Sequence, residues 1–297
     1  MKAGKKLSSA RAARTQIVML GTGTPRPDPD RSGPATAIVA NGVPYLFDFG
    51  PGVIRRAAAA YRKGITAFGP AAAEITTVFL THLHADHTAG YPDLILTPWI
   101  LGRKKPINAY GPRGLRAMTR HVFEAWKVDI ENRTNGIDRL PRAGCRVNVH
   151  EIVPGEIYSD RNIRVSAFPV RHGALAHAFG FRIETSDRVI VISGDTAPIP
   201  ESAKHCEGCD VLIHETYSEQ TYRKVSPKWQ RYRREHHTSS RELAELAARV
   251  RPELLLLYHR ANAGGAMTLP DPEAVLLDEI SRLYKGRVVT AHDLDVF

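Results

Sequence analysis

The feature that most constrains this chain is the run Thr81-His82-Leu83-His84-Ala85-Asp86-His87, which directly follows an apolar stretch at 75–80. An apolar run of that length bounded by polar residues reads as a buried strand. In an extended chain the side chains alternate, so His82, His84 and Asp86 share one side, with His87 beside them where the chain turns. Imidazole and carboxylate are donors suited to zinc and similar divalent ions. Four of them within six consecutive positions exceed one catalytic ion's protein share, so the run predicts two ions.

Further donors must come from elsewhere. His172 follows Phe168-Pro169-Val170, Asp195 sits in Ser193-Gly194-Asp195-Thr196, and His259 ends the apolar run 254–259. Each lies at or just past the end of an apolar strand, where loops present side chains to a shared site. Alone, each is an ordinary capping or surface residue. Beside the first cluster they read as the remaining ligands.

The rest of the chain supplies a frame. Residues 16–20 read as a strand entering the turn GTGTP, and PRPDPDRSGP reads as a surface loop. Strands at 35–40 and 44–48 are joined by Asn41-Gly42, a hairpin signal. Helices are expected at 53–63, 114–126 and 239–250, the last with Thr238 as its N-cap. Further strands are expected at 146–152, 163–170, 179–185, 188–193, 211–214, 254–259 and 287–290, the pair 179–185 and 188–193 forming a hairpin that turns at Ser186-Asp187. Helices between groups of strands, rather than in strict alternation, give an α/β or α+β class and not a parallel barrel. With no repeat or low-complexity linker, one domain at 15–297 is expected after a flexible basic tail at 1–14.

Composition excludes several classes. With 43% hydrophobic and 24% charged residues the chain is neither disordered nor fibrous. No apolar run approaches the roughly 20 residues of a membrane span. The N-terminus lacks the apolar stretch of a secretory signal, so a soluble protein is expected, cytoplasmic, or periplasmic had a leader been removed. The net charge of +10 suits an anionic substrate, a small molecule or a nucleic acid, or an anionic surface; no membrane partner is expected, since no span is present. The basic clusters, Lys5-Lys6, 103–105 and 231–234, are short and separate. Three cysteines argue against a disulfide framework. The lone pair Cys206 and Cys209 reads as ordinary thiols near a helix end.

Taken in chain order, GTGTP, THLHADH, His172, SGDT and His259 resemble the metallo-β-lactamase superfamily. The GTGTP start and His237-Thr238-Ser239 resemble its ribonuclease Z-like branch, and the likeness runs from Gln16 to Phe297. The resemblance implies a four-layer αββα sandwich with metals at one edge, and often a homodimer. It implies that His82, His84 and His172 hold one zinc-type ion, that Asp86, His87 and His259 hold the other, and that Asp195 bridges them. It also points to Glu215 and His237, which join Asp86 as the expected catalytic residues. A carboxylate beside an imidazole fixes its tautomer and raises its basicity, so a protonated His237 is expected to stabilise or protonate a leaving group. His236 competes for that role; the spacing to the following helix favours His237.

The resemblance has limits for the substrate. Ribonuclease Z carries an arm that grips transfer RNA, inserted between the equivalents of His172 and Asp195. Here Asp195 follows His172 by 23 positions, and a hairpin takes most of them. A longer insert lies between His87 and Arg146, with Trp99, Tyr110 and Trp126 expected to fill core. The leading expectation is a hydrolase of phosphodiesters, sulfate esters or nucleic acid. β-Lactam hydrolysis is the alternative. A redox protein or a non-catalytic nucleic-acid binder is a third class, against which stand His84, a Glu in diiron relatives, and the full set of seven ligands.

Overall fold

Two mixed sheets, each apolar on both faces, organise the molecule. The computed structural model describes residues 15–261 and 272–297; the tail expected at 1–14 lies outside the described residues. The first half gives β1 (Thr15–Gly21), β2 (Ala35–Ala40), β3 (Val43–Phe47), α1 (Val53–Arg62), β4 (Thr77–Phe79), α2 (Ala85–Thr88), α3 (Tyr91–Ile100), β5 (Ile107–Gly111), α4 (Leu115–Ala125), α5 (Lys127–Asn135) and β6 (Val147–Glu151). Its strands lie in the order β1-β2-β3-β4-β5-β6, antiparallel through β3 and parallel after it.

The second half gives β7 (Gly155–Ser159), β8 (Ile163–Pro169), β9 (Phe179–Thr185), β10 (Val189–Ile192), α6 (Ser202–Cys206), β11 (Val211–Thr216), α7 (Glu219–Tyr222), α8 (Pro227–His236), α9 (Ser240–Val250), β12 (Leu254–Arg260), α10 (Glu273–Ser281) and β13 (Val288–Thr290). Its order is β13-β12-β11-β10-β9-β8-β7, antiparallel from β7 to β10 and parallel beyond.

The strict two-residue period of a strand explains the layering. In β12 Leu254, Leu256 and Tyr258 enter the core between the sheets, whereas Leu255 and Leu257 pack outward with Leu243 and Ala247 of α9 and Leu276 of α10. In β1 Ile17 and Met19 face the other sheet, and Val18 and Leu20 face α1 and α3. Strands buried on both faces read as continuous apolar runs. The result is the four-layer αββα arrangement. None of the described helices is long and apolar enough to cross a membrane.

Several expectations need correction. The N-cap of α9 is Ser239, not Thr238. Ser239 Oγ accepts from the Glu242 amide while Glu242 reaches back to the Ser239 amide, a reciprocal capping box. Trp126 stays 40% exposed, whereas Trp99 is buried and donates to the Pro141 carbonyl. Tyr110 sits at the border of the inter-sheet core, stacked between Phe79 and His150. Cys206 and Cys209 are buried free thiols in the apolar layer under α9.

Arg103, expected in a surface basic cluster, is buried. Pro98 inside α3 has no amide hydrogen, so the Leu94 carbonyl loses its helical donor. Arg103 Nη1 donates to that carbonyl at 2.8 Å, Nη2 to the Ile95 carbonyl at 2.5 Å and Nε to the Gly144 carbonyl at 3.1 Å. Burial pulls its pKa down to about 10. Arg103→Met is therefore expected to cost about 2–4 kcal/mol, because it leaves buried carbonyls without donors. Urea unfolding should show a lower midpoint with metal affinity unchanged; an unaltered midpoint would refute this role.

Candidate metal centre

Both sheets end at one edge, and the loops leaving them there carry the donors. After β4 the chain runs extended to His84 and then turns into α2, so Asp86 and His87 lie on a helical turn rather than in the expected extended run. The turn is anchored by Asp48, which follows β3. Asp48 Oδ1 accepts from the Thr81 amide at 2.8 Å, and Oδ2 lies 2.8 Å from His87 Nδ1. Asp48 holds φ 60, a left-handed conformation that a non-glycine residue keeps only where its surroundings enforce it.

His259 is aimed by a bulge. The β11–β12 ladder pairs Glu215 with Tyr258 and Thr216 with Arg260, so His259 is skipped and takes φ 39. A bulge turns a side chain out of its alternating position and into the site. His172 lies three residues past the end of β8, and its Nδ1 donates to the His236 carbonyl at 2.8 Å. Gly173 carries φ 57, and a Cβ there would fall 1.9 Å from His236 Nε2. The His236 ring is thus packed over backbone and stacked on Tyr232, while the His237 ring lines the cavity.

The seven expected donors converge. His84 Nδ1 lies 3.1 Å from both His82 Nε2 and His172 Nε2. Asp86 Oδ2 lies 3.6 Å from His87 Nε2 and 3.1 Å from His259 Nε2. Asp195 stands between the two groups: Oδ1 is 3.6 Å from His87 Nε2, and Oδ2 is 3.8 Å from His172 Nε2 and 3.4 Å from His259 Nε2. Donors placed tetrahedrally at 2.0–2.1 Å from an ion stand about 3.3 Å apart, so these separations are those of a ligand set. Two of the rings have their other nitrogen engaged, His82 Nδ1 by Thr81 and His87 Nδ1 by Asp48, which leaves their Nε2 to face the centre. His87 Nε2 and Asp195 Oδ1 are buried with no hydrogen-bond partner among the described residues. The cluster fits divalent metal.

The charges fit as well. Burial holds His82 and His84 below the usual histidine range and His172 at about 4, so these rings are neutral and ready to ligate. Burial also lowers His87 and His259, but the carboxylates around them outweigh it: Asp48, Asp195 and Asp86 raise His87, and Asp195 and Asp86 raise His259. For Asp195 the order is reversed: burial raises its pKa, and His259 and His87 overcome that and hold it well below the carboxylate range.

Glu215 and His237 meet at the same edge, with His237 Nδ1 3.3 Å from Glu215 Oε2. Glu215 Oε1 accepts from the Thr238 amide at 2.9 Å and the Thr196 amide at 3.3 Å. The surroundings work against the expected protonated imidazole. Burial pushes His237 well below the histidine range, and burial with the nearby Asp195 charge pushes Glu215 well above the carboxylate range. Burial therefore disfavours charge on both members of the pair.

Sequence reasoning missed Asp48, read only as the end of a strand. A lone carboxylate in a Gly-Pro-rich turn carries no pattern, and only its distance to His87 reveals it. Asp48→Asn is expected to weaken zinc affinity about 10–100-fold by loosening His87. Competition with a chromophoric chelator measures this; unchanged affinity would confine Asp48 to shaping the turn.

The family model described as "Beta-lactamase superfamily domain" matches residues 45–260. A ribonuclease Z of Mycobacterium bovis is 30% identical over 282 residues, covering 94% of this chain and 96% of the relative. A ribonuclease Z of Mycobacterium sp. strain KMS is 35% identical over 248 residues, covering 82% and 83%. Among solved structures, the metallo-beta-lactamase fold protein YhfI of Bacillus subtilis superposes with a TM-score of 0.70 at 17% identity, over 95% of this chain and 98% of that one. The short form of human tRNase Z gives 0.67 at 24% identity, over the same shares.

Proposed function

This chain belongs to the β-lactamase superfamily and is a metal-dependent hydrolase, and from that premise we propose that it is a dinuclear zinc-type phosphodiesterase of ribonuclease Z-like chemistry. The observation that carries this is the Glu215–His237 pair set beside the convergent donors. In this reading His82, His84 and His172 hold one ion, Asp86, His87 and His259 the other, and Asp195 joins them. Ions held by these residues would supply a hydroxide nucleophile, from water whose pKa falls to about 7, and positive charge against the phosphate oxygens.

The chain's own residues do the rest. Asp48, Thr81 and the His236 carbonyl fix ring orientations, which spares reorganisation during reaction. His237 lines the cavity beside His172 and Asp195, where an ester's departing oxygen needs a proton. As the ring gives a proton to that oxygen, Nδ1 would recover one from the Glu215 carboxyl, whose Oε2 lies 3.3 Å away. The Thr196 and Thr238 amides then stabilise the carboxylate left behind. The single domain at 15–297 and a homodimer belong to the same reading; light scattering tests the latter, and a clean monomer would overturn it.

The named relatives are ribonucleases, and the basic charge suits an anionic substrate, small or nucleic acid. The segment between His172 and Asp195 is filled by β9, β10 and short connections. No arm for transfer RNA protrudes there, which favours shorter esters. Hydrolysis of bis(p-nitrophenyl) phosphate by metal-loaded but not chelator-treated protein tests the reading. Preferential opening of a chromogenic β-lactam or cleavage of an aryl sulfate would replace it.

A further inference from the structure

The donor cluster forms one side of a cavity of about 380 Å³. The other walls come from the loop after β1 and from α8, which contribute Pro25, Arg26, Pro27, Trp229 and Tyr232. None of these belongs to the donor cluster. Trp229 lines the cavity while keeping 37% of its surface exposed. Tyr232 meets it edge-on, with centroids 5.4 Å apart at 77°. Tyr232 is itself stacked on His236 at 4.1 Å and lies 5.8 Å from His237, so the aromatic wall is fixed next to the site of proton transfer.

Arg26 adds a cation. Its Nη1 is buried and has no hydrogen-bond partner among the described residues. A buried guanidinium nitrogen of this kind is suited to an anionic oxygen, above all a phosphate oxygen. An aromatic face and a guanidinium within one small cavity match the two halves of a nucleotide.

We infer that this wall is a nucleotide subsite in which Trp229 stacks on the base next to the cleaved phosphodiester. Pro25 and Pro27 close against the same group, and Arg26 takes a non-bridging phosphate oxygen. The inference rests on the phosphodiesterase reading and adds the side chains that select a nucleobase within one nucleotide of the broken bond. A free small nucleotide and the end of an RNA strand both present that chemistry.

Two chromogenic esters on zinc-loaded protein test it. Thymidine 5′-(p-nitrophenyl phosphate) carries a base; methyl p-nitrophenyl phosphate has the same leaving group without one. Trp229→Ala is expected to lower kcat/KM for the nucleotide ester about tenfold or more, mainly through KM. The methyl ester should change less than about twofold, and Trp229→Phe should recover most of the loss. Equal losses on both esters, or none on either, would overturn the inference.

If the unaltered protein hydrolyses neither ester, the phosphodiesterase reading fails on its own. Equilibrium dialysis with AMP then decides the subsite: binding lost in Trp229→Ala and kept in Trp229→Phe supports it, and absent binding overturns it. Competition separates the two sources. A single-stranded oligoribonucleotide that competes about 100-fold better than AMP assigns the base to an RNA strand, through added phosphate contacts. Equal competition assigns it to a free nucleotide.

Discussion

Asp195→Ala is expected to abolish metal retention and lower phosphodiester turnover by at least about 10³-fold. Among the described residues Asp195 is the one carboxylate that approaches donors of both groups, at 3.4–3.8 Å. It is buried, and it opposes the charges of His87 and His259. Removing one member of a buried charge set costs about 3–5 kcal/mol, because its partners stay buried and uncompensated. At about 1.4 kcal/mol per tenfold this is two to four orders of magnitude before any lost chemistry is counted. Metal analysis after gel filtration, with turnover beside it, measures both effects. Full metal content at full rate would show that Asp195 does not join the ions.

His237→Ala is expected to lower kcat about 10²–10⁴-fold, the ordinary contribution of a positioned general acid, with both ions retained. The ring stands outside the proposed ligand set, and its Nδ1 has no hydrogen-bond partner among the described residues. Glu215→Gln should fall between this variant and the unaltered protein, since an amide still accepts from the Thr196 and Thr238 amides but hands no proton to Nδ1. An ester with a better leaving group needs less protonation, so the His237→Ala deficit should shrink with it. A deficit equal for good and poor leaving groups would reassign His237 to binding the phosphate.

Much of this site was legible before any coordinates. His82, His84, Asp86 and His87 announce themselves because a strand end concentrates donors locally. His172, Asp195 and His259 were found through the apolar strands that precede them. Other features were not legible. The bulge at His259 depends on the register of β12 against β11, and no local pattern records it. Asp48 is one carboxylate in a turn, visible only through a contact 39 positions away. The burial that lowers the pKa of His237 is likewise invisible in residue types, which reveal a neighbour's charge but not depth. In the fold, α3 and α8 were missed because prolines open the first and interrupt it, and charged residues crowd the second.

The most direct test is titration of metal-free protein with zinc while phosphodiester turnover is followed. Turnover should rise until two ions are bound per chain and then level off. A plateau at one ion, or two ions bound without any turnover, would contradict the dinuclear phosphodiesterase.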